Sequence, residues 1–524
     1  MALSNMISKL RREANLTQEE FAEIFGVSRQ SVQKWESGTS APELDKLVKI
    51  AKYYDVSLDA LILDSNTRIT EELKYNKALK PKYANIHDWE SYSSGIVTEY
   101  TQSLEEGLDI SKYADLFGAV SRLPKGEIKK KLADVIFEII QNADTVSGYK
   151  YVEPSDLDSI RAQRGESVTL PPLDTKNLEN KIAGAWIGRI CGCFLGKPFE
   201  GMYSEELTAL LKETNNYPLS RYILRSDVSE ELQNRYTFRF INRPFPDTIT
   251  GMPVDDDTNY TVLGQYIIEK YGKDFTPYDV SRAWLDKQPK VAYCTAERVA
   301  FCNFVKGYEP PQSALYKNPY REWIGAQIRA DYFGYINPAN PEKAAEMAWR
   351  DASISHIKNG IYGEMWVAAM LACAACTDDM KLIIKGGLAQ IPEKSRLHES
   401  VCRVINWYES GVSSEQVFKN IHTEWDEHTE HGWCHTISNA MIVTAALLYG
   451  EGDYSKSICI AVQTAFDTDC NGATVGSVIG MAKGVSCIDK KWTKTLDDTL
   501  HTTIFGVGSA KISDCIAKTM THIK

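Results

Sequence analysis

Two acidic runs, far apart in the chain, carry the residue types that bind hard metal ions. One is the Asp-Asp-Asp-Thr run 255–258, and the other is the Asp-Thr-Asp-Cys-Asn run 467–471, which opens an apolar segment punctuated by glycine. Carboxylate, hydroxyl and amide oxygens are the ligands that Mg²⁺ and Mn²⁺ choose. If the fold brings the runs together, they form a site for one ion, or for two ions about 4 Å apart. The candidate metal ligands are Asp255, Asp256, Asp257, Asp467 and Asp469.

A structural alternative exists for each run. An acidic residue ahead of a helix often lies in a solvated turn or serves as an N-cap that complements the helix dipole. Both runs, however, precede apolar helical stretches, where a buried carboxylate is costly without a partner. Adjacent carboxylates also repel one another unless a cation or water neutralises them. The presence of two such runs therefore favours a metal site over two unrelated caps.

The bulk composition indicates a well-packed globular protein of more than one domain. A chain of 524 residues is too long for one ordinary core, so two or three domains are expected. The net charge of -11 and the pI near 5.5 argue against broad affinity for nucleic acids or anionic membranes. No apolar run reaches the roughly 18 residues of a membrane span, and the N-terminus does not resemble a signal peptide. We expect a cytoplasmic protein whose twelve cysteines are reduced.

Residues 1–64 have the apolar periodicity of a small helical domain, with helices predicted near 4–14, 17–24, 28–36, 43–53 and 57–62. Thr17 and Glu20 form a capping box for the second helix, and Gly26 lies in the turn that follows it. Ser28 caps the third helix, as in a helix-turn-helix unit. The exposed face of that helix offers four candidate DNA-binding residues, Arg29, Gln30, Gln33 and Lys34.

This unit resembles the phage-repressor (Cro/C1, Xre-type) helix-turn-helix family. The matching stretches are LTQEEFA (16–22), VSRQSV (27–32) and KWESG (34–38), followed by Pro42, Leu44 and Leu47. The resemblance implies binding to a specific DNA site. Because residues 1–64 carry 8 Lys or Arg against 10 Asp or Glu, a single copy should bind DNA weakly, and we expect a homodimer. The alternative is a protein–protein interaction module.

Residues 65–150 are predicted to be a helical connector, either a small bundle or a dimerising element. Ile128, Leu132, Val135, Ile136 and Ile139 fall on one predicted helical face. Residues 151–524 form the large unit, and their long apolar stretches predict an all-α domain. Two predicted helices carry glycine at every fourth position, 184–196 in one and 472–480 in the other. Such rows permit close backbone approach, so we expect both helices in the core beside the metal site.

The large unit resembles the ADP-ribosylglycohydrolase family, which includes dinitrogenase reductase-activating glycohydrolase. Five separated motifs carry the resemblance, in order: GAWIG through GKPFE (184–200), DDT (256–258), GAQIR (325–329), DASISH (351–356), and FDTD through the glycine row (466–480). The resemblance covers about 176 to 510. It implies an all-helical fold with a binuclear Mg²⁺ or Mn²⁺ site that hydrolyses a glycosidic bond of an ADP-ribose unit.

Site residues follow from the resemblance position by position. Asp256, Asp257, Asp467 and Asp469 match the family's metal ligands, and Glu200 matches its acidic residue at the cleft. Cleavage of a ribosyl bond passes through an oxocarbenium-like state, in which a metal can orient water and a carboxylate can act as base or stabilise the cation. The expected catalytic residues are Glu200, Asp257 and Asp467.

The chain departs from the family pattern around this site. Asp255 stands where the family has Thr, and Cys470 stands where a hydroxyl ligand is expected. Because a thiol is a poor Mg²⁺ ligand, we expect Asp255 to compensate for Cys470. Cys193 replaces an Asp common in the family, and NPYREW (318–323) replaces a Gly/Ser-rich phosphate loop. These changes leave the leaving group open, so a nucleoside or another ribosyl compound remains a candidate substrate.

Other polar residues are candidate substrate contacts, namely Arg329, His356, His435, Asn439 and Asn471. The alternatives are an ion pair of Arg329 with Asp331 or Glu322 and a core position for His356. Zinc binding by His428, His431 and His435 lacks supporting ligand spacing.

We thus expect a metal-dependent hydrolase with two Mg²⁺ or Mn²⁺ ions, placed or regulated by its DNA-binding domain. The alternative is a transcriptional regulator whose hydrolase-like domain senses an ADP-ribose- or nucleoside-type ligand without turnover.

Overall fold

The structure, a computed structural model, describes residues 2–14, 16–54, 56, 58–62 and 87–523. The chain separates into two compact units, Met1–Tyr75 and Asn76–Lys524. Almost all of the regular structure in the described residues is helical, which confirms the predicted all-α class. Among these helices, none combines the length and apolar character needed to cross a bilayer. All twelve cysteines are free thiols.

The first unit contains the five predicted helices, and their ends agree with the prediction within about two residues. They are Ala2–Glu13, Gln18–Phe25, Arg29–Glu36, Leu44–Tyr53 and Leu58–Ile62. The capping box of Thr17 and Glu20 is present, and Gly26 takes the left-handed conformation at the end of the second helix. Ile7, Phe21 and Val32 are fully buried in the core. The apolar periodicity predicted these helices correctly because each helix buries a single stripe of apolar side chains.

The second unit is a large helical domain with one small sheet. Its helices are Ile96–Glu105, Ala114–Arg122, Glu127–Gln141, Leu157–Ala162, Leu178–Gly196, Ser204–Glu213, Glu230–Gln233, Asp256–Tyr271, Pro277–Lys287, Thr295–Val305, Gln312–Leu315, Asp331–Tyr335, Pro341–Ala352, Lys358–Ala374, Met380–Leu388, Arg396–Glu409, Ser414–Glu424, Glu430–Cys434, Thr436–Tyr449, Tyr454–Gln463, Thr468–Lys483, Lys490–Thr493 and Ile512–Ile523. Short 3₁₀ turns lie at Asp88–Glu90, Tyr92–Ser94, Ser111–Tyr113, Lys197–Phe199, Arg225–Asp227, Lys290–Ala292, Gln327–Arg329 and Val485–Cys487. Strands Thr499–His501 and Ser509–Lys511 pair antiparallel.

Two glycine-rich helices, Leu178–Gly196 and Thr468–Lys483, pack backbone to backbone at the centre of this unit. A methyl group on Gly184 would lie 2.3 Å from the carbonyl oxygen of Gly480, and one on Gly192 would lie 2.0 Å from that of Gly472. The glycine rows therefore face each other, in helices that lie in the core. The pairing also runs antiparallel, so the end of the first helix meets the start of the second, where one acidic run lies.

Residues 87–150 pack against the large domain through buried ion pairs. Arg321 contacts Glu99 at 2.7 Å and Glu106 at 2.6 Å, and Glu90 contacts Lys290 at 2.7 Å and Arg298 at 2.8 Å. Arg321 lies in the 318–323 stretch where the chain departs from the family pattern. That departure thus coincides with the surface that holds this additional segment.

The apolar face predicted for this segment is only partly buried. Ile128 and Val135, which the periodicity placed on one face with Ile136, are 73% and 47% exposed. The helix Glu127–Gln141 instead packs through Ala133 and Ile136. Its buried stripe is therefore rotated by about one residue from the one that the apolar pattern indicated.

Candidate metal centre

The acidic runs lie at the N-terminal ends of two helices, Asp256–Tyr271 and Thr468–Lys483, of which only the second takes part in the glycine packing. Asp255 caps the helix Asp256–Tyr271, and its side chain accepts a hydrogen bond of 2.9 Å from the backbone N–H of Asp257. Asp467 occupies the cap position of the helix Thr468–Lys483 without capping it through its side chain. The positive end of each helix dipole favours carboxylates there.

The structure brings the two runs into one cluster. Ligand atoms of Asp257, Asp469 and Cys470 all lie within 4.8 Å of one another, and the same holds for Cys193, Asp255 and Asp257. A carboxylate and a thiol from different parts of the sequence therefore converge on Asp257. Such spacing lets a single cation reach ligands from both runs after small side-chain rotations.

Burial and mutual repulsion disfavour the ionised form of three of the site carboxylates. Burial raises the pKa of Asp257 well above its usual value, with added repulsion from Asp255 and Asp469, although Arg189 opposes the shift. Burial and the neighbouring Asp255 raise the pKa of Asp256 to about 8. Burial and Glu200 raise the pKa of Asp469 to about 6. The cluster is thus chemically suited to a divalent cation.

Arg189 is a buried clamp that the sequence analysis missed. Its guanidinium donates to the carbonyl oxygen of Asp257 at 2.8 Å and to its Oδ1 at 3.0 Å. It also donates to Asp331 at 2.7 Å and to the hydroxyl of Thr261 at 2.9 Å. These bonds fix the first turn of the helix that carries Asp257. An arginine within the glycine-rich motif at 184–200 was the available signal.

Lys197, which the sequence analysis also did not single out, places an ammonium among the carboxylates. Its Nζ lies 2.7 Å from Asp255, 3.2 Å from Asp469 and 3.1 Å from Glu200. Burial opposes the charge, but these acids, Asp255 foremost, raise the lysine pKa well above its ordinary value. Lys197 therefore stays charged and holds Asp255, whose compensation for Cys470 stays a prediction.

Glu200 lies at the edge of this cluster and is held in its ionised form. Burial opposes ionisation, but Lys197 and Arg243 outweigh it and lower the pKa of Glu200 to about 2. Arg243 donates to the carboxylate at 2.8 Å and to the backbone carbonyl of Glu200. A carboxylate with so low a pKa is a weak proton acceptor and a permanent negative charge.

A cleft of about 180 Å³ opens beside these residues. Its acidic lining comprises Glu200, Asp256, Glu297, Asp467 and Asp469, together with the thiol of Cys470. Trp89, Trp323 and Trp433 supply aromatic side chains to the same cleft. Trp89 comes from the additional segment 87–150, so that segment contributes directly to the lining. Large aromatic faces beside a polar floor are typical of small-molecule sites.

Asn439 and Asn471 support the second acidic run. The side-chain oxygen of Asn439 accepts a hydrogen bond of 2.8 Å from Asn471 and one of 3.3 Å from the backbone N–H of Asp467. The amide of Asn439 donates to the carbonyl oxygens of Trp433 and His435. Both asparagines are fully buried. They position the Asp467 turn, and their contact with a ligand remains a prediction.

Arg329 has partners other than those predicted. It forms ion pairs with Glu297 at 3.0 Å, with Glu364 at 3.5 Å and with Asp351. Asp331 pairs with Arg189 and Glu322 pairs with Arg396 instead. The predicted pairing with Asp331 or Glu322 is therefore wrong. Since Arg329 is only 2% exposed, contact with a substrate phosphate would require these ion pairs to break.

His356 is buried and neutral. Its Nδ1 lies 2.8 Å from the hydroxyl of Ser355. Burial, with a contribution from Arg329, lowers the pKa of the imidazole well below its usual value. The position is that of a core histidine, and a role in substrate contact stays a prediction.

His431 and His435 form a triad with Glu105, in which only His431 lies within hydrogen-bonding distance of the carboxylate. Trp323 donates to Nδ1 of His431, and the backbone N–H of Ile437 donates to Nδ1 of His435. A ring whose Nδ1 accepts a hydrogen bond has its proton on Nε2. His431 directs Nε2 to Glu105 at 3.2 Å, and His435 Nε2 lies 3.7 Å from it.

This proton arrangement argues against zinc at the triad. A neutral metal-bound histidine ligates through one nitrogen and donates a hydrogen bond from the other. Here both Nδ1 atoms accept hydrogen bonds, so binding through Nε2 would leave each ring without a proton. His428 lies apart, paired with Glu205 and Asp426. The triad instead fastens Glu105 of the additional segment to the large domain.

The four predicted DNA-binding residues lie in the first unit, on the helix Arg29–Glu36. Arg29, Gln30, Gln33 and Lys34 are all exposed. Val32 and Trp35, on the opposite face of the helix, are buried. The structure therefore places these side chains together on one accessible face, as a recognition helix requires.

Comparison with known proteins identifies the family of each part. Residues 174–518, more than half of the chain, match the family model described as ADP-ribosylglycohydrolase. Residues 7–61 match the helix-turn-helix family model. A solved structure described as an ADP-ribosylglycohydrolase-related protein complex aligns with a TM-score of 0.43 and 17% identity, covering 66% of this chain and 98% of that one.

Curated relatives match the N-terminal region. The cryptic phage CTXphi transcriptional repressor RstR of Vibrio cholerae is 42% identical over 71 residues, 14% of this chain and 64% of that protein. The transcriptional activator BcrR of Enterococcus faecalis is 34% identical over 87 residues, 17% of this chain and 43% of that protein. The uncharacterised regulator MJ0272 of Methanocaldococcus jannaschii is 36% identical over 61 residues, 12% of this chain and 92% of that protein. The chain thus spans less than two thirds of the first two.

Proposed function

The chain belongs to the ADP-ribosylglycohydrolase family, with a helix-turn-helix domain at its N-terminus, and from this premise we propose that it is a divalent-metal-dependent hydrolase of an ADP-ribosyl or related ribosyl glycosidic bond. In this proposal the DNA-binding domain places or regulates the enzyme. The observation that carries the proposal is the convergence of Asp257 and Asp469, from two distant acidic runs, beside a cleft.

The site residues have distinct roles in this proposal. Asp257, Asp467 and Asp469 would hold Mg²⁺ or Mn²⁺ through carboxylate oxygens, with Asp255 and Asp256 beside them. A bound divalent ion supplies Lewis acidity that orients water and lowers its pKa. Arg189 keeps Asp257 in place, and Asn439 keeps the Asp467 turn in place.

Glu200 is proposed to stabilise positive charge on the ribose. Ribosyl cleavage develops an oxocarbenium-like centre at the anomeric carbon. Because Lys197 and Arg243 keep Glu200 ionised, its carboxylate offers a fixed negative charge to that centre. The same low pKa makes it a weak general base.

The aromatic side of the cleft is proposed to hold the base or ribose of the substrate. Trp89, Trp323 and Trp433 line that side, and aromatic side chains favour contact with planar or weakly polar groups. His435 and Asn439 adjoin this wall through the backbones of Trp323 and Trp433, and their contact with the substrate is part of the proposal.

A second candidate function is ligand-sensing transcriptional regulation. Two relatives of the N-terminal region are described as a transcriptional repressor and a transcriptional activator. Cys470 also stands at a position where the family resemblance implies a hydroxyl ligand. A domain that binds an ADP-ribose- or nucleoside-type ligand without turnover would explain both the regulator-like N-terminal domain and the loss of the hydroxyl ligand at Cys470.

Product release separates the two functions. We would incubate full-length protein with arginine-linked and serine-linked ADP-ribosylated proteins and with a free ribonucleoside. Each reaction would contain Mg²⁺ or Mn²⁺, with and without chelator. The hydrolase proposal expects metal-dependent release from at least one substrate, which also identifies an N- or O-glycosidic bond.

The matched variants are Asp257→Asn at the site and Asp286→Asn on the surface, where Asp286 pairs only loosely with Lys270. Asp257→Asn should reduce release at least tenfold, because losing even a supporting partner of a metal ligand costs that much. Asp286→Asn should leave release unchanged. Absence of turnover on every substrate, together with tight ADP-ribose binding, would favour the regulator.

A further inference from the structure

Two of the chain's departures from the family pattern place thiols in the carboxylate centre. Cys470 follows Asp469 and shares a ligand group with Asp257 and Asp469, all within 4.8 Å. Cys193 shares a second group with Asp255 and Asp257. Cys470 is 6% exposed and Cys193 is fully buried. The centre therefore offers sulfur as well as oxygen.

The oxygen ligands beside Cys470 have unused bonding capacity. Oδ1 of Asp257 accepts a hydrogen bond from Arg189, and Oδ2 of Asp469 accepts one from Lys197. Within the described part of the chain, no hydrogen-bond donor reaches Asp257 Oδ2 or Asp469 Oδ1, although both atoms are buried. A buried carboxylate oxygen without a donor is costly. Two such oxygens and one thiol could supply three ligands to a cation.

Lys197 fills the other side of the cluster. Its ammonium bridges Asp255, Asp469 and Glu200 at 2.7, 3.2 and 3.1 Å. A hard cation at that position would have to displace a charged, partly buried side chain. The space that remains for an ion is therefore the one beside Asp257, Asp469 and Cys470. Asp469 and Cys470 line the cleft, which leaves an open coordination position toward the substrate.

Ligand chemistry then decides which ion suits this position. Thiolate selects borderline and soft cations, whereas Mg²⁺ requires oxygen ligands in an octahedral arrangement. Tetrahedral zinc, with Zn–S near 2.3 Å and Zn–O near 2.0 Å, needs its ligand atoms about 3.3–3.7 Å apart. The ligand atoms of Asp257, Asp469 and Cys470 lie within 4.8 Å of one another, about 1 Å more than zinc needs. Side-chain rotations can close that difference.

We propose that this centre binds one thiophilic divalent cation of the Zn²⁺ or Co²⁺ class through Asp257, Asp469 and Cys470, with Lys197 as the fixed second cation. Coordination converts the Cys470 thiol to a thiolate and releases its proton to solvent. The proposal replaces the Mg²⁺ or Mn²⁺ of the proposed hydrolase with a thiophilic ion. It rests on the proposed function only in taking this centre as the metal site of the hydrolase. The catalytic water or the substrate would occupy the open position.

Cobalt spectroscopy tests the proposal without any activity assay. Full-length protein freed of metal by dialysis against chelator would be titrated with Co²⁺ while its absorption spectrum is recorded. We expect a sulfur-to-cobalt charge-transfer band in the near ultraviolet that saturates at one equivalent. Zn²⁺ should bleach the band, and a large excess of Mg²⁺ should not.

Cys470→Ser should remove the band and weaken Zn²⁺ binding at least tenfold in competition with a chromophoric chelator. Cys193→Ser is the matched control, because it removes the other thiol beside Asp257, and it should retain the band. Cys470→Thr, which restores the hydroxyl, should lower the ratio of Zn²⁺ to Mg²⁺ affinity. Circular dichroism would establish which variants fold; if the Cys470 variants do not, retention of the band in Cys193→Ser and its loss in Asp469→Asn carry the test.

Bound Co²⁺ without a charge-transfer band in wild type would overturn the proposal, as would loss of the band in Cys193→Ser alone. Failure of the proposed function looks different. A cobalt band that depends on Cys470, with no hydrolysis of any substrate in the presence of Zn²⁺ or Co²⁺ as well as Mg²⁺ or Mn²⁺, removes only the function. Mg²⁺-supported hydrolysis with no cobalt band removes only the thiolate site.

Discussion

The packing of the two glycine-rich helices makes a graded prediction about both stability and the metal centre. Replacing Gly192 by Ala would place a methyl group 2.0 Å from the carbonyl oxygen of Gly472, whereas ordinary contacts begin near 3.4 Å. The obstructing atom belongs to backbone, so it cannot rotate away, and the helices must move apart. Gly192 lies beside Cys193, and Gly472 lies one turn from Asp469. The same displacement must therefore reach the metal ligands.

The magnitude follows from two opposing effects. Alanine improves helix propensity by about 1 kcal/mol relative to glycine, but overpacking a tight core typically costs 1–3 kcal/mol and sometimes more. A backbone clash lies at the upper end, so we expect Gly192→Ala to lower the free energy of unfolding by about 3 kcal/mol. Functional sites tolerate displacements of only about 0.5 Å. Metal affinity should therefore fall at least tenfold.

Gly184→Ala separates the two effects. It creates a similar clash, 2.3 Å from the carbonyl oxygen of Gly480, but eight residues, or about 12 Å of helix, farther from the centre. It should destabilise the protein similarly and reduce metal affinity much less. Gly118→Ala, which meets only the side chain of Arg122, is the control without a backbone clash; it should raise stability by up to about 1 kcal/mol through helix propensity. Urea denaturation and calorimetric metal titration measure both quantities. If Gly192→Ala stays within 1 kcal/mol of wild type and binds metal normally, the packing argument is wrong.

Three further outcomes follow. Lys197→Met should raise the number of divalent ions bound per chain from one toward two, because it vacates the position between Asp255 and Asp469; unchanged stoichiometry in equilibrium dialysis would contradict this. Burial, opposed by Arg329, raises the pKa of Glu297 to about 7 from 4.5. The folded state therefore keeps a proton that the unfolded chain has lost, so stability falls as pH rises from 4.5 to 7, by at most about 3 kcal/mol. Glu297→Gln should flatten that part of the pH profile of unfolding. Arg29→Ala with Gln33→Ala should abolish the sequence preference found by selection of random duplexes and leave hydrolysis intact; a motif that survives both changes would assign the domain to protein binding.

Much of the fold was predictable because the signals are local. The capping box at Thr17 and the left-handed Gly26 follow from short-range chemistry, and both are present. The glycine rows were also informative, because small residues at every fourth position leave one helix face without side chains. The meeting of the two acidic runs was predictable only by combining these rows with the family resemblance.

The electrostatic partners were not predictable in the same way. Arg189 and Lys197 lie within the glycine-rich motif at 184–200, yet their partners Asp257, Asp331 and Asp255 are distant in sequence. Arg329 likewise pairs with Glu297 and not with Asp331, which is nearer in sequence. Local spacing indicates which acids lie near an arginine along a helix, but tertiary packing decides which of them share its buried surroundings. The contribution of Trp89 to the cleft was hidden for the same reason.

The central claim is that the two acidic runs form one metal centre facing the cleft. Anomalous diffraction from crystals soaked with Mn²⁺ and ADP-ribose tests it most directly. We expect a peak about 2.2 Å from side-chain oxygens of both Asp257 and Asp469, with the ribose in the cleft beside it. A map with no peak between these residues, or with its only peak at His431 and His435, would contradict the account.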